Sequence, residues 1–279
     1  VDLLRADWLA FLDDKWQLWQ IDPAMTLRMN SCWAALLAAW GLLAACHSSP
    51  ARKAASAPAP SPSLPPAADF VPPSLPDTSA LERSLLRAGL VNITRLDPEV
   101  EVRMMYSTPD NFLGADVYGD FDQCYLQPEA ARKLAEASAR LREQHPRLRL
   151  IVFDCTRPRS VQVQMWALVK GTPQQQYVAS PTGRGSMHNL GCAVDLGLVS
   201  LDTGLLDMGT PFDFFGELAH PQQEKRFLRS GELSPAQVAN REILRGCMRK
   251  AGFAGLPNEW WHFIALSPEQ ARKRYAVVE

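Results

Sequence analysis

The chain has 279 residues, of which 47% are hydrophobic and 21% charged, with a formal net charge of -1 at pH 7. That composition suits one large globular domain or two small ones. It gives no support for nucleic-acid binding, which draws on a basic surface, and no run of like charge suggests an interaction tail.

In chain order, the first feature is an apolar run at residues 31–46, SCWAALLAAWGLLAAC. It is shorter than the ~20 residues that span a bilayer. With Arg28 ahead of it and small residues at its end, it has the layout of a secretory signal. Its last residues, Leu43-Ala-Ala-Cys46, resemble the bacterial lipobox, whose cysteine becomes the lipidated first residue of the mature protein. That resemblance implies a membrane anchor at Cys46 and a place on the periplasmic side of the cell envelope. The blander readings are an ordinary signal peptide, or a buried helix with a chance cysteine. Residues 1–24 carry Trp8, Phe11, Leu12, Trp16 and Trp19, which suit an amphipathic helix. The plainer account is that translation starts at Met25 or Met29 and that the upstream residues come from a start codon assigned too early. Residues 47–77 hold nine prolines among alanines and serines. Such a segment cannot bury a core; in polyproline II form, at about 3 Å per residue, it reaches on the order of 90 Å. This is the composition of a tether.

Order is expected over 78–279. Ser79-Ala-Leu-Glu82 has the form of a capping box, with Gly89 as the helix stop. Residues 99–106 alternate as a strand does. Pro128 opens a helix to about Gln144, with Leu134, Ala137 and Leu141 on one face. Residues 148–156 form an apolar strand, 159–170 a helix, and 193–199 another strand. A second capping box at Ser234 begins a helix ending near Gly252. Residues 260–265 are a short strand, and Ser267 caps a final helix. Strands and helices mix without regular βαβ spacing, which predicts an α+β domain with a small, mostly antiparallel sheet flanked by helices.

Among the five histidines, His47 falls in the tether, and His145 and His220 each precede a proline in loop-like sequence. His188 and His262 differ. The first lies in Gly185-Ser-Met-His188-Asn-Leu-Gly191-Cys-Ala-Val-Asp195, the second in Asn258-Glu259-Trp-Trp-His262. Hydrolytic zinc sites use three ligands from His, Asp and Glu and leave a position for water. Asp195 stands in an apolar run, where a carboxylate needs a partner: a metal, or an arginine. A turn at 189–191 followed by a strand brings His188 and Asp195 to one point. Glu259, flanked by tryptophans, has the desolvated setting of a general base. Residue types alone leave both a zinc site and a set of unrelated polar residues open.

The pattern Ser186-x-His188-x-x-Gly191-x-Ala193-x-Asp195, with the later Glu259-x-x-His262, resembles the zinc D-Ala-D-Ala peptidases. Tyr106-Ser-Thr-Pro-Asp-Asn-Phe-Leu-Gly114, Asp154-Cys-Thr-Arg157-Pro158, Met208-Gly-Thr-Pro-Phe-Asp213 and Glu-Trp-Trp-His resemble the VanX-type dipeptidases in particular. The likeness covers about residues 90–270. It implies a Hedgehog/DD-peptidase-like α+β fold and one Zn2+ held by His188, Asp195 and His262. Glu259 is then the base and Arg157 the stabiliser of the oxyanion, while Ser186 and Asp213 contact a small substrate such as D-Ala-D-Ala, Asp213 at its ammonium. The blander roles are a strand-end salt bridge with Asp154 for Arg157, and a loop or cap for Asp213. Alternative functions are a D,D- or L,D-carboxypeptidase acting on peptidoglycan stems, and a non-catalytic wall-binding lipoprotein. The second should have lost a ligand or the base, and here all four positions are filled. An exported domain meets an oxidising compartment. For Cys124, Cys155, Cys192 and Cys247, buried free thiols are the plainer expectation; any disulfide should join Cys124 to Cys247 or Cys155 and leave Cys192 reduced.

Overall fold

The structure is a computed structural model, which describes residues 78–182 and 185–279. The expected upstream extension (1–24), the signal sequence ending at Cys46 and the tether (47–77) lie outside the described residues. Among the described residues no helix is long and apolar enough to cross a membrane.

Helix α1 (Thr78–Arg87) buries Leu81 and Leu85, one turn apart, against the rest of the domain. It starts two residues before Ala80, the first helical position that a cap at Ser79 predicts. Ser79 therefore lies inside it, and Glu82 accepts a hydrogen bond from the Tyr125 hydroxyl. Strand β1 (Val91–Asn92) pairs antiparallel with β3 (Tyr125–Leu126) in a separate two-stranded ladder. Between them, α2 (Ile93–Leu96) is capped by the Asn92 side chain, which accepts from Thr94 N–H at 2.9 Å.

The main sheet contains β2 (Glu101–Val102), β4 (Leu148–Asp154), β5 (Ala193–Ser200), β8 (His262–Ile264) and β7 (Ala254–Gly255), in that spatial order. Strand β6 (Gly204–Leu205) folds back on the far end of β5. Every pairing is antiparallel except β2–β4, so the α+β expectation holds. The strand expected over 99–106 shrinks to two residues. After Arg103 N–H bonds to Val152 O, the chain leaves the sheet edge and turns as a 3-10 segment, Met105–Ser107, that sends Tyr106 into the core.

Helix α3 (Pro128–Gln144) has the expected span and buries Leu134, Ala137 and Leu141. It packs on β4 and on α6 (Pro235–Lys250). Helix α4 spans Arg159–Val169, and α5 (Glu224–Ser230) precedes α6. The boxes at Ser234 and Ser267 form as read: each hydroxyl accepts from the backbone of Gln237 or Gln270, and each glutamine reaches back. The second opens α7 (Pro268–Arg274). Cys124, Cys155, Cys192 and Cys247 are buried free thiols.

Two local devices position the site. The β4–β5 register runs Val152 opposite Leu196, then skips to Asp154 opposite Asp195, a β-bulge that takes Phe153 out of the ladder. Because Asp195 also stands opposite His262 on β8, Asp154, Asp195 and His262 form one row across three strands. The second device is the turn before β5. Gly191 ends a 3-10 segment, His188–Leu190, at φ 66°. A Cβ there would lie 3.0–3.2 Å from Thr156, Leu90 and Gln127, so both the backbone and the space require glycine.

Candidate active site

Three ligand atoms converge at the row. His262 Nδ1 lies 2.8 Å from Asp195 Oδ1, and His188 Nε2 lies 3.2 Å from His262 Nδ1 and 3.3 Å from Asp195 Oδ2. All three side chains are buried. Bonds of 2.0–2.1 Å in a tetrahedral site set ligand atoms about 3.3 Å apart, so the spacing suits a zinc ion. The electrostatics agree. Burial alone would raise the Asp195 carboxyl, but His188 and His262 outweigh it and hold the group well below the usual carboxylate range. Burial opposes charge on His188, yet Asp195 reverses this and raises it. The carboxylate thus favours positive charge in the cluster, a setting that suits a cation. His188 Nδ1 sits 2.6 Å from the Cys155 carbonyl. Donation there leaves Nε2 as the free lone pair that a metal needs.

The turn bearing His188 is held by its neighbours. Ser186 Oγ accepts from His188 N–H at 3.2 Å, and Ser186 N–H donates to Asn189 Oδ1 at 2.8 Å. Asn189 Nδ2 donates to the Arg157 carbonyl at 2.7 Å, and Arg157 N–H to the His188 carbonyl at 3.1 Å. Buried Asn189 therefore fastens the His188 turn to the loop carrying Arg157. Nothing in its spacing announced that role.

Arg157 shares a cavity of about 270 Å3 with the three ligands, Glu259 and Asp213. Its Nε donates to Asp154 Oδ2 at 3.0 Å, Nη2 donates to the same oxygen, and Nη1 donates to Gln162 Oε1 at 3.0 Å. Asp154, fully buried, also accepts from the Tyr118 hydroxyl at 2.8 Å. The salt bridge with Asp154 is real, and it holds the guanidinium in the cavity with donors to spare. Asp154 was readable only as a salt-bridge partner. Its place in an apolar strand, like that of Asp195, was the available signal. Gln162 and Tyr118 had none.

Glu259 Oε2 lies 3.8 Å from His262 Nδ1. Burial pushes its carboxyl up to about 7, with Asp195 adding to the shift and His262 and Arg157 opposing it. Asp213 does lie in a loop, in a turn between β6 and the 3-10 segment Glu217–Ala219, but it is not exposed. It is buried at φ 58°, the only non-glycine residue at positive φ among those described. Its Oδ2 accepts from the Tyr106 hydroxyl at 2.7 Å, and burial raises it well above the carboxylate range. All seven residues singled out from the sequence line this one cavity. His145 and His220 do not; His145 caps the end of α3, and His220 joins two 3-10 segments with a buried Nε2 that has no hydrogen-bond partner.

A protein-family model described as D-ala-D-ala dipeptidase (peptidase M15) matches residues 86–277. Among curated proteins, the chain is similar to a D-alanyl-D-alanine dipeptidase of Escherichia coli, at 33% identity over 62% of this chain and 83% of that protein. It is also similar to one of Enterococcus faecalis, at 30% identity over 57% of this chain and 82% of the other. One of Enterococcus faecium is 39% identical over a shorter stretch, 32% of this chain and 39% of that protein.

Proposed function

The chain belongs to the D-Ala-D-Ala dipeptidase family of peptidases, and from that premise we propose that it is a zinc-dependent dipeptidase that hydrolyses D-alanyl-D-alanine with Glu259 as general base. The observation that carries this reading is the convergence of His188, Asp195 and His262 in one cavity with Glu259, Arg157 and Asp213.

Each residue has a task that its surroundings suit. His188, Asp195 and His262 would hold the zinc ion, which when bound would supply Lewis acidity, lowering the pKa of a water from about 15.7 to about 7. Glu259, with a proton affinity raised by burial, takes a proton from the attacking water and passes it to the leaving amine. The C–N bond breaks, the carbonyl carbon gains the water oxygen, and two amino acids leave. Arg157, clamped on one side by Asp154 and Gln162, turns its remaining donors to the oxygen on which negative charge develops. The buried Asp213 receives the substrate ammonium, whose charge favours the ionised carboxylate. Ser186 Oγ already accepts the His188 N–H, so its hydroxyl proton is free for the substrate carboxylate.

Mass spectrometry of D-Ala-D-Ala incubated with the purified full chain tests this. Release of D-Ala should stop with a chelator and return with zinc; a zinc-loaded protein that leaves the dipeptide intact refutes the reading. We further propose a lipid anchor at Cys46. Cys46→Ala should move the protein from the membrane pellet to the soluble or unprocessed fraction, and unchanged fractionation contradicts the anchor.

A further inference from the structure

The most deeply buried arginine among the described residues, Arg241, is 1% exposed and has no task in the reaction above. It lies on α6 and does not line the catalytic cavity. Its Nε donates to the Met208 carbonyl at 2.6 Å, and its Nη2 donates to the Leu218 carbonyl at 3.1 Å. Those two acceptors stand five positions before and five positions after Asp213. Between them the chain forms a loop that begins after β6 and enters the 3-10 segment Glu217–Ala219. Among the described residues no backbone hydrogen bond joins the two arms of this loop, so one guanidinium is the polar link between them.

We propose that Arg241 is a positioning residue: by tying both arms of the loop it holds the Asp213 carboxylate where the substrate ammonium arrives. The inference rests on the dipeptidase reading and on Asp213 as the ammonium site, and it names the residue outside the cavity on which that site depends. Asp213 needs such support. Its φ of 58° is a conformation that residues with a side chain rarely adopt, and one that persists only where the surroundings fix it. Its carboxylate accepts from the Tyr106 hydroxyl, which orients the side chain but fixes the backbone at neither end of the loop.

The neighbours of Arg241 agree with this role. One turn ahead of it, Gln237 Nε2 donates to Asp207 Oδ2 at 2.7 Å, and Asn240 Nδ2 donates to the Asp207 carbonyl at 2.9 Å. Gln237, Asn240 and Arg241 share one helix face, so α6 is the bed on which the first arm of the loop lies. The same arm reaches the segment of the base: Thr210 Oγ1 accepts from Trp260 Nε1 at 2.8 Å, and the Arg241 guanidinium stands 5.9 Å from the centre of the Trp260 ring, next to Glu259 in sequence. Glu224 on α5, itself buried, lies 3.5 Å from Arg241 Nη1. Burial pushes the guanidinium down to about 10, with Glu224 opposing, so it stays charged at neutral pH. A lysine would keep that charge, but as a point donor it cannot span two carbonyls as a planar fork does.

The test measures kcat and KM of the zinc-loaded full chain on D-Ala-D-Ala and on an analogue in which a hydroxyl replaces the ammonium. The wild type should favour the dipeptide, and Asp213→Asn should lose most of that preference. Arg241→Lys should raise KM for D-Ala-D-Ala by about tenfold or more, with a smaller change in kcat, as a displaced binding group does. KM for the analogue should stay near its wild-type value. In the Asp213→Asn background, Arg241→Lys should add less than about twofold, because the group it positions is already gone. Arg241→Met should act in the same direction; if it does not fold, Arg241→Lys decides the matter. Equal losses on the two substrates, full additivity of the two substitutions, or a wild-type KM in Arg241→Lys overturns the inference and leaves Arg241 a support of the fold, with the dipeptidase reading intact. If Asp213→Asn itself keeps the preference, the ammonium site falls and this inference with it. A zinc-loaded wild type that cleaves neither substrate overturns the dipeptidase reading as well.

Discussion

Replacing Arg157 with methionine separates catalysis from support. The guanidinium is 7% exposed and gives two hydrogen bonds to Asp154, which is fully buried and otherwise accepts only from Tyr118. Removing one partner of such a pair costs about 3–5 kcal/mol, because the other charge stays buried and unpaired. Against a typical total stability of roughly 5–15 kcal/mol, the loss should be plain in urea denaturation. Losing a charged donor to the developing oxyanion costs ~10²–10³ in rate. Adding Asp154→Asn tells the effects apart. The amide carries no charge and still offers an oxygen to Tyr118, so the double variant should recover most of the stability. It should not recover the rate, since the donors are still missing. Urea curves and kcat/KM on D-Ala-D-Ala would be measured for wild type, single and double variants, all zinc-loaded. A double variant that regains both stability and activity would show that Arg157 only neutralises Asp154.

Purified protein should hold about one zinc per chain, and His188→Ala or His262→Ala should lose it by metal analysis; full occupancy in either variant removes that residue from the site. Glu259→Gln should keep the metal while kcat falls by about 10²–10⁴; near-normal turnover would exclude Glu259 as the base. Stability should depend on Asp97: burial raises its carboxyl, but Arg142, 2.9 Å away, with Glu99 N–H and Ser138, brings it below the ordinary value. A depressed folded pKa adds stability above the unfolded value, about 3.9, that is lost as pH falls through the folded one. The gap in Tm between wild type and Asp97→Asn should therefore be open at pH 7 and close as the pH falls through the depressed folded pKa; a constant gap refutes the linkage. Burial pushes the Cys192 and Cys247 thiols up to about 12, so alkylation at pH 8 should spare both in the native protein and reach them after denaturation. Rapid native labelling of Cys192, or a disulfide-linked peptide containing it, would contradict this.

The sequence announced the long elements because their signals are local. Pro128 and the Leu134–Leu141 face delimit α3, and the serine–glutamine boxes mark α6 and α7. Residues 99–106 misled because alternation is shared by a strand and by a chain that merely brushes a sheet edge; only the bond from Arg103 to Val152 shows where pairing stops. The candidate metal ligands and Glu259, which the fold brings to one cavity, were legible as rare residue types at family-like spacing. Their support was not. Tyr118, Gln162 and Asn189 act on partners 36, 5 and 32 positions away, pairings that exist only in the folded chain.

The row across β4, β5 and β8 also bears on how the domain holds together. His262 is 67 residues from Asp195 and 74 from His188, yet β8 meets β5 through only three residue pairs. An ion bound by the three candidate ligands would close that long loop as a cross-link does, and its binding free energy would count toward the folded state. Stripping the metal should thus release the chain end from β7 onward as a separate opening unit. Its backbone amides would exchange with deuterium well before those of β4 and α3, in a protein whose centre remains folded.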